Sequence, residues 1–362
     1  MKSVYIHIPF CKKICSYCDF CKVYYNKTLV KNYLSSLYKE IISQYNNEVL
    51  DTIYVGGGTP SSLSIDELED LFKSINLFKK SRTVEFTFEC NIEDITEELL
   101  LFLKKKGVNR LSVGIESFNK RNLKLMGRNT YFKDALEKVN LIRKIGFNNL
   151  NLDLIYAMPK ETMFDLYCDI NKLLKLNPEH ISTYSLILEK NTILYNKGYQ
   201  NISEEKDAKM YNYIIKKLKK HGYNHYEVSN FAKEGYESKH NTTYWLNNEY
   251  YGFGCGAHGY IGNIRYENTR SIFKYINGEY TYSKELLSRS EEMDNEIMLG
   301  LRLLKGIDVE KYQEKYKEKI TDSYPNINNL LKEGLLVLDN NYLRIPEKYI
   351  YIMDSIVLKI VS

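Results

Sequence analysis

The fold is decided by residues 4–21, Val4-Tyr-Ile-His-Ile-Pro-Phe-Cys11-Lys-Lys-Ile-Cys15-Ser-Tyr-Cys18-Asp-Phe-Cys21. Val4 to Ile8 is a short β-rich run that ends at Pro9, and a loop holding four of the seven cysteines follows at once. Cys90, Cys168 and Cys255 stand alone. The spacing is C-x3-C-x2-C, with Cys21 three residues further on. Thiols this close in a chain without a secretory start read as a metal or redox site rather than a disulfide frame. A four-thiolate zinc knuckle is the alternative, although structural zinc sites usually split into two separated pairs. Iron–sulfur ligands come as one compact run, because a single loop must wrap one face of a cube. Three thiolates would then hold three irons of a 4Fe-4S cluster and leave the fourth open to a small molecule.

Outward from this loop the chain alternates strand and helix. A helical pattern covers about Thr28 to Tyr45, with Leu29, Tyr33, Leu37 and Ile41 on one face. Asp51 to Val55 is a second strand, closed by Gly56-Gly-Gly-Thr59-Pro60. Ser64 with Glu67 makes a capping box for a helix to about Phe78. Strands at Val84–Glu89, Arg110–Ile115, Leu150–Ile155 and His180–Leu188 alternate with helices at Thr96–Lys106, Tyr131–Ile145 and Thr162–Leu176. Six such units predict an α/β fold with a parallel sheet and right-handed crossovers, curled into a partial (β/α)6 TIM-like barrel.

The placement of polar groups agrees. Functional residues in parallel barrels collect where strands end. Here the cysteine loop follows the first strand and the glycine run the second; Glu89 and Glu116 end the third and fourth, and Asp153 lies in the fifth. Buried polar strand ends need partners or a ligand. The glycine run could aim N–H groups at a carboxylate, or be a plain tight turn, since it lacks a P-loop lysine. Glu89 could accept from a ribose diol or pair with Arg128, and Arg128 could clamp a carboxylate or lie on the surface. Asp153, between Leu152 and Leu154, calls for a partner.

Composition sets the bounds. The 362 residues carry 51 basic and 46 acidic side chains, a net charge of +5, with 44% apolar and 27% charged residues. These values describe a globular chain and exclude collagen-like, disordered and disulfide-scaffold classes. No apolar run is long enough to span a membrane, so contact with one would be peripheral at most. The start is too short and polar for a secretory signal, which points to the cytoplasm. The densest basic run, Lys216, Lys217, Lys219 and Lys220, shares a helix with Tyr213, Ile214, Ile215 and Leu218 and reads as a solvated face, not a nucleic-acid stripe. The 33 tyrosines are scattered and name no partner.

The C-x3-C-x2-C loop with Tyr17 before its last cysteine resembles the radical S-adenosylmethionine superfamily. Tyr5-Ile-His-Ile-Pro-Phe-Cys11, Gly56-Gly-Gly-Thr-Pro60, Asn109-Arg-Leu-Ser-Val-Gly114 and Asp153-Leu-Ile-Tyr156 narrow the likeness to the oxygen-independent coproporphyrinogen III oxidase family, from residue 4 to about 305. The resemblance implies that Cys11, Cys15 and Cys18 ligate the 4Fe-4S cluster, whose open iron chelates S-adenosyl-L-methionine. It implies further that Tyr5 and Tyr17 flank that cofactor, that Gly57, Gly58 and Thr59 contact its methionine end and Glu89 its ribose, and that Glu116, Arg128 and Asp153 complete the pocket. In the superfamily, cofactor cleavage yields a 5′-deoxyadenosyl radical, and the protein supplies position and exclusion of water.

The family has an enzyme branch, which oxidatively decarboxylates coproporphyrinogen III, and a heme-chaperone branch. Three features resemble the chaperones. The chain starts four residues before Tyr5, without the extension expected of the oxidase; Phe20 stands where the oxidases carry a further cysteine; and His240-Asn-Thr-Thr-Tyr244-Trp245 matches the HNxxYW signature. Gly252-Phe-Gly-Cys-Gly-Ala-His258 follows it. The resemblance therefore implies heme as ligand and apo-hemoproteins as recipients, with a homodimer as a further expectation, and coproporphyrinogen dehydrogenation as the rival. His240 is the first candidate heme ligand, with His7, His258 and Cys255 as alternatives; each could instead be a packed, hydrogen-bonded residue, and His221 reads as a helix-end charge. Glu116 departs from the family's usual glutamine, Ile92 from a proline and Thr130 from a histidine. A second carboxylate near Glu89 would raise one pKa or weaken cofactor binding. Cys21 reads as structural or incidental.

Residues 1–190 are thus expected to form the core barrel and 191–288 an extension carrying HNxxYW. Ser203 to His221 reads as one long helix and Asn224 to Val228 as a strand. Residues 289–362 read as a small helical, winged-helix-like domain. Its helices fall at Glu292–Leu304, Asp308–Tyr316 and Ile327–Glu333, and its hairpin turns at Asp339, Asn340 and Asn341. This domain is not notably basic and is expected to cover the barrel mouth or bind the heme recipient.

Overall fold

The computed structural model describes residues 2–362. Its main sheet contains β1 (Ser3–Ile8), β2 (Val49–Gly57), β3 (Lys79–Asn91), β4 (Arg110–Glu116), β5 (Leu150–Tyr156), β6 (His180–Ser185), β7 (Asn224–Glu227), β8 (Asn230–Ala232), β9 (Tyr250–Phe253), β10 (His258–Ile261), β11 (Ile264–Asn268) and β12 (Thr281–Leu286). The order across the sheet is β12-β11-β10-β9-β1-β2-β3-β4-β5-β6-β8-β7. Strands β1 to β6 run parallel in sequence order, and β9 pairs parallel with β1, Ser3 opposite Tyr250. The outer strands are antiparallel.

Strict alternation along β2 to β6 explains the architecture. Ile53 and Val55, Phe86 and Phe88, Leu111 and Val113, and Leu150, Leu152 and Leu154 are fully buried in one core with the helices. The intervening Tyr54, Glu89, Ser112, Asp153 and Ser182 line a cavity on the other face, so the sheet curls around a polar interior. A period of two sends alternate side chains to opposite faces.

Local signals act as read. Ser64 and Glu67 form a reciprocal capping box on the helix Ile65–Ile75. The helix Phe132–Ile145 ends on Gly146 in the left-handed conformation. Residues 191–288 add strands to both ends of the same sheet, four beyond β1 and two beyond β6.

From Arg289 onward the chain forms a small domain of the helices Arg289–Gly300, Val309–Tyr316 and Ile327–Lys332, with β13 (Ile307–Asp308), β14 (Val337–Asp339) and β15 (Tyr342–Arg344) in the order β13-β15-β14. The expected hairpin turns at Asn340 and Asn341, both at positive φ. A closing helix, Met353–Val361, was not foreseen. The domain does not cover the barrel mouth: none of its residues lines that cavity. It packs instead beside β7 and the HNxxYW helix, where Leu304 N donates to Tyr226 O at 3.0 Å and Arg302 lies 5.5 Å from the Trp245 ring. Among the described residues no helix is long and apolar enough to cross a membrane.

Candidate functional site

The mouth of the curled sheet holds a cavity of about 470 Å³. Cys11, Cys15, Tyr17, Cys18, Gly57, Gly58, Thr59, Glu89, Glu116, Arg128 and Asp153 all line it. The cysteine loop is pinned at both ends. Val23 N donates to Pro9 O at 2.8 Å and Tyr25 N to Cys11 O at 2.9 Å, while Ser16 N donates to Met126 O and Leu194 N to Ser16 O. Gly58 lets the loop lie close, for a Cβ there would meet the Pro9 carbonyl carbon at 2.8 Å and Cys11 Sγ at 3.0 Å. Thr59 Oγ1 donates to Cys11 Sγ at 3.4 Å.

The carboxylates are held differently from one another. Glu89 accepts from Tyr54 OH at 2.6 Å and from Gly57 N at 3.0 Å, so a backbone N–H of the glycine run is occupied by the chain's own anion. Arg128 pairs with Glu116 at 3.1 Å rather than with Glu89. It also donates to Gly114 O and Asn91 Oδ1, each at 3.2 Å. Glu116 adopts φ +67° beside a register shift in β4, which turns its side chain toward Arg128. Asp153 accepts from Asn151 Nδ2 at 2.7 Å.

Burial pushes Glu89 and Glu116 up to about 7. Hydrogen bonds from Tyr54 and Gly57 oppose this at Glu89, as the Arg128 charge does at Glu116, while Asp153 raises both. Asp153 is itself raised by burial, against hydrogen bonds from Asn151 and Ser182. The carboxylate in place of the usual glutamine is therefore accommodated by a buried ion pair.

Two expected residues lie elsewhere. Tyr5 does not line this cavity: it sits opposite Tyr54 in the β1–β2 register, one strand further round, and its hydroxyl lies 2.9 Å from His7 Nδ1. His240 does not offer a free nitrogen to a ligand. Its Nδ1 lies 2.7 Å from Thr52 Oγ1 and its Nε2 2.7 Å from Tyr244 OH. The helix Lys239–Trp245 closes the lower end of the barrel, its first amides donating to Glu85 and Thr243 Oγ1 meeting Ser3 Oγ at 2.9 Å. His7 is likewise engaged on both nitrogens, the second lying 2.7 Å from Cys21 O, and Cys255 is fully buried. Cys21 turns from the other loop cysteines to face Cys255, Sγ to Sγ 3.7 Å.

Residues not foreseen also line the mouth: Tyr54, Arg110, Asn151, Ser182 and Tyr184. Their signal was the alternation itself, a polar side chain at every second place in strands whose other face is apolar.

The donor set fits an iron–sulfur cluster and a zwitterionic, cationic cofactor. Burial pushes the Cys11 thiol up to about 11 and raises Cys18, so thiolates there need a strong cation beside them. Among the described residues no three His, Cys, Asp or Glu side chains converge as one tetrahedral ion requires. A cube whose irons are held one thiolate each has no such need. Arg110 and Arg128 each keep a buried Nε–H without an acceptor, which suits a carboxylate. Three carboxyl groups against two guanidinium groups suit a positive ligand.

A parallel, curled sheet with a three-cysteine loop after its first strand is the arrangement of a radical S-adenosylmethionine protein, and residues 5–172 match the radical SAM superfamily. Residues 287–349 match the HemN C-terminal domain. The chain is 42% identical to the heme chaperone HemW of Lactococcus lactis subsp. lactis (strain IL1403), covering 96% of this chain and 93% of that one. It is 41% identical to the heme chaperone HemW of Bacillus subtilis (strain 168), covering 93% of each. The chain belongs to the HemW family. Among solved structures it shares its fold with the coproporphyrinogen III oxidase HemN of Escherichia coli, with a TM-score of 0.88 at 22% identity over all of this chain and 90% of that one.

Proposed function

We propose that this protein is a heme chaperone, which binds heme and hands it to apo-hemoproteins. The identity of 42% over nearly the whole of a relative named heme chaperone carries the reading. Cys11, Cys15 and Cys18 would hold a 4Fe-4S cluster, and S-adenosyl-L-methionine would occupy the same mouth. When bound, the two supply one-electron chemistry.

The chain's own residues bind and orient. Arg128, with its unpartnered Nε–H, would take the cofactor's carboxylate. Glu89, fixed by Tyr54 and Gly57, would accept from the ribose. Asp153 and Glu116 would balance positive charge, Gly58 and Thr59 would keep the loop close to the methionine end, and Tyr17 would wall off water. We include a homodimer and a cytoplasmic location in the proposal. His240 enters as a support beneath the mouth rather than as a ligand contact, and Tyr5 stands outside the cofactor mouth.

The fold shared with HemN keeps oxidative decarboxylation of coproporphyrinogen as the rival. Titration of the anaerobically reconstituted protein with hemin tests the reading. A shifted Soret band saturating near one heme per chain, with heme then passing to an apo-hemoprotein, is the expected result. No saturable binding, together with turnover of coproporphyrinogen, would replace it by the rival.

A further inference from the structure

A second cleft of about 520 Å³ lies on the far side of the cysteine loop. Asp19 and Phe20 line both cavities, so one loop is the wall between them. Strands β10 and β11 and the end of the HNxxYW helix supply the other walls, with Tyr244, Trp245, Tyr250 and Tyr260 as aromatic surface. Two arginines complete it. Arg265 donates to Asn247 Oδ1 at 3.1 Å and lies 4.8 Å from the Tyr260 ring. Arg270 donates to Asp19 O at 2.7 Å. Their hydrogen bonds go to a carboxamide and a carbonyl, so both cations keep donors for an anion. Arg265 Nε and Trp245 Nε1 are buried N–H groups without any acceptor; buried donors are ordinarily satisfied, so this pair calls for one.

Two histidines line the cleft, His7 and His258. Of the six histidines, His7, His180, His225 and His240 have both ring nitrogens within reach of hydrogen-bond partners. His221 sits at the end of a helix with one nitrogen on Lys217 O. His258 lines the cleft with 63% of its side chain exposed, and its Nε2 lies 3.8 Å from Glu267, leaving Nδ1 free. A flat aromatic ligand with two carboxylates and a metal open to an imidazole matches these walls, cations and nitrogen.

We propose that heme binds in this second cleft, with His258 as iron ligand and Arg265 and Arg270 as partners of the two propionates. The inference rests on the heme-chaperone reading and adds the place and the ligand. Heme would then sit across the cysteine loop from the cofactor mouth, outside the barrel.

The test is an anaerobic hemin titration of the reconstituted full chain, wild type beside His258→Ala, Arg270→Gln, Arg265→Gln, Cys21→Ser and His240→Ala, repeated with hemin dimethyl ester. His258→Ala should move the Soret maximum and weaken binding about tenfold or more. Each arginine variant should weaken hemin about tenfold while leaving the ester unchanged, since only hemin has the carboxylates. Cluster absorbance and far-ultraviolet circular dichroism report folding. Should Arg265→Gln fail to fold, Arg270→Gln and the ester comparison carry the propionate test. A wild-type spectrum in His258→Ala, a shifted one in Cys21→Ser or His240→Ala instead, or equal affinity for hemin and its ester would overturn the site while leaving the chaperone reading intact. Absence of binding by the wild type would overturn both.

Discussion

The His240 imidazole stacks on the Tyr54 ring at 4.9 Å and 29°, the same ring whose hydroxyl donates to Glu89. The motif histidine is thereby a floor support for the cofactor mouth. Burial pushes it down to about 3, so the ring is neutral at any working pH, and its two nitrogens tie β2 to the HNxxYW helix through Thr52 and Tyr244.

His240→Ala should therefore cost stability, on the order of 2–4 kcal/mol from a lost ring and two orphaned hydroxyls. Cofactor affinity should fall with it, through Tyr54, while the heme spectrum stays that of the wild type. Thermal melting and the Soret maximum of the same preparation check this. An unchanged melt with an altered Soret band would make His240 a heme ligand after all.

Glu89 and Glu116 are held near 7 by burial, above their unfolded values. A carboxyl group raised in this way contributes stability that is present below about pH 4.5 and lost as pH rises through about 7. Each should thus contribute a fall in the melting temperature of the unliganded protein from about pH 5 to pH 7, against the rise contributed by His7 and His240, which burial holds below the usual imidazole value. Glu89→Gln should remove its share of that fall whatever it does to the absolute Tm, because one of the five carboxyl groups that burial holds near 7, the others being Glu116, Glu40, Glu161 and Glu227, is gone. A slope as steep as that of the wild type would show that Glu89 is already ionised at pH 5.

Cys21→Ser should keep full iron and sulfide content after reconstitution, since Cys21 faces Cys255 and not the other loop thiols. Cys15→Ser should lose most of both. Iron and acid-labile sulfide assays on the two variants distinguish the roles, and equal losses would make Cys21 a ligand.

Glu40 is buried on the helix Lys27–Gln44 and accepts from Gly254 N at 2.9 Å, Asn268 Nδ2 at 2.6 Å and the Tyr275 hydroxyl. It fastens that helix to the strands beyond β1. Glu40→Ala leaves three donors unpaired and should cost about 3–5 kcal/mol, lowering Tm by roughly 5 °C or more. A loss under about 1 kcal/mol in a denaturant melt would mean that water replaces the carboxylate freely.

Much of this was legible because the governing signals are local. Leu150-Asn151-Leu152-Asp153-Leu154 states both faces of β5 by itself, and Ser64 with Glu67 states a helix start. What escaped depends on which distant segments meet. Tyr5 and His240 lie in motifs that read as binding elements, yet their depth in the barrel is set by the β1–β2 register and by a helix about 190 residues from Thr52. β9 joins β1 by pairing Ser3 to Ile6 with Tyr250 to Phe253, far apart in the sequence, which no periodicity reports. β12 is exposed at all six positions and has no burial pattern to read. The helix Met353–Val361 follows a 3-10 turn at Glu347–Ile352 in a nearly continuous apolar run, where a strand and a buried helix look alike.

The central place of β1 between β2 and β9 also has a consequence in time. Its first partner emerges from the ribosome within about 50 residues, but Tyr250, opposite Ser3, comes only much later. At about 5–20 residues per second the delay is on the order of 10–50 s. During that interval the strand that carries the cysteine loop has one open edge, and the HNxxYW helix that will close the barrel has not yet been made. Nascent chains arrested before residue 250 should accordingly be cut by protease at the cysteine loop, and chains arrested well past residue 290 should resist.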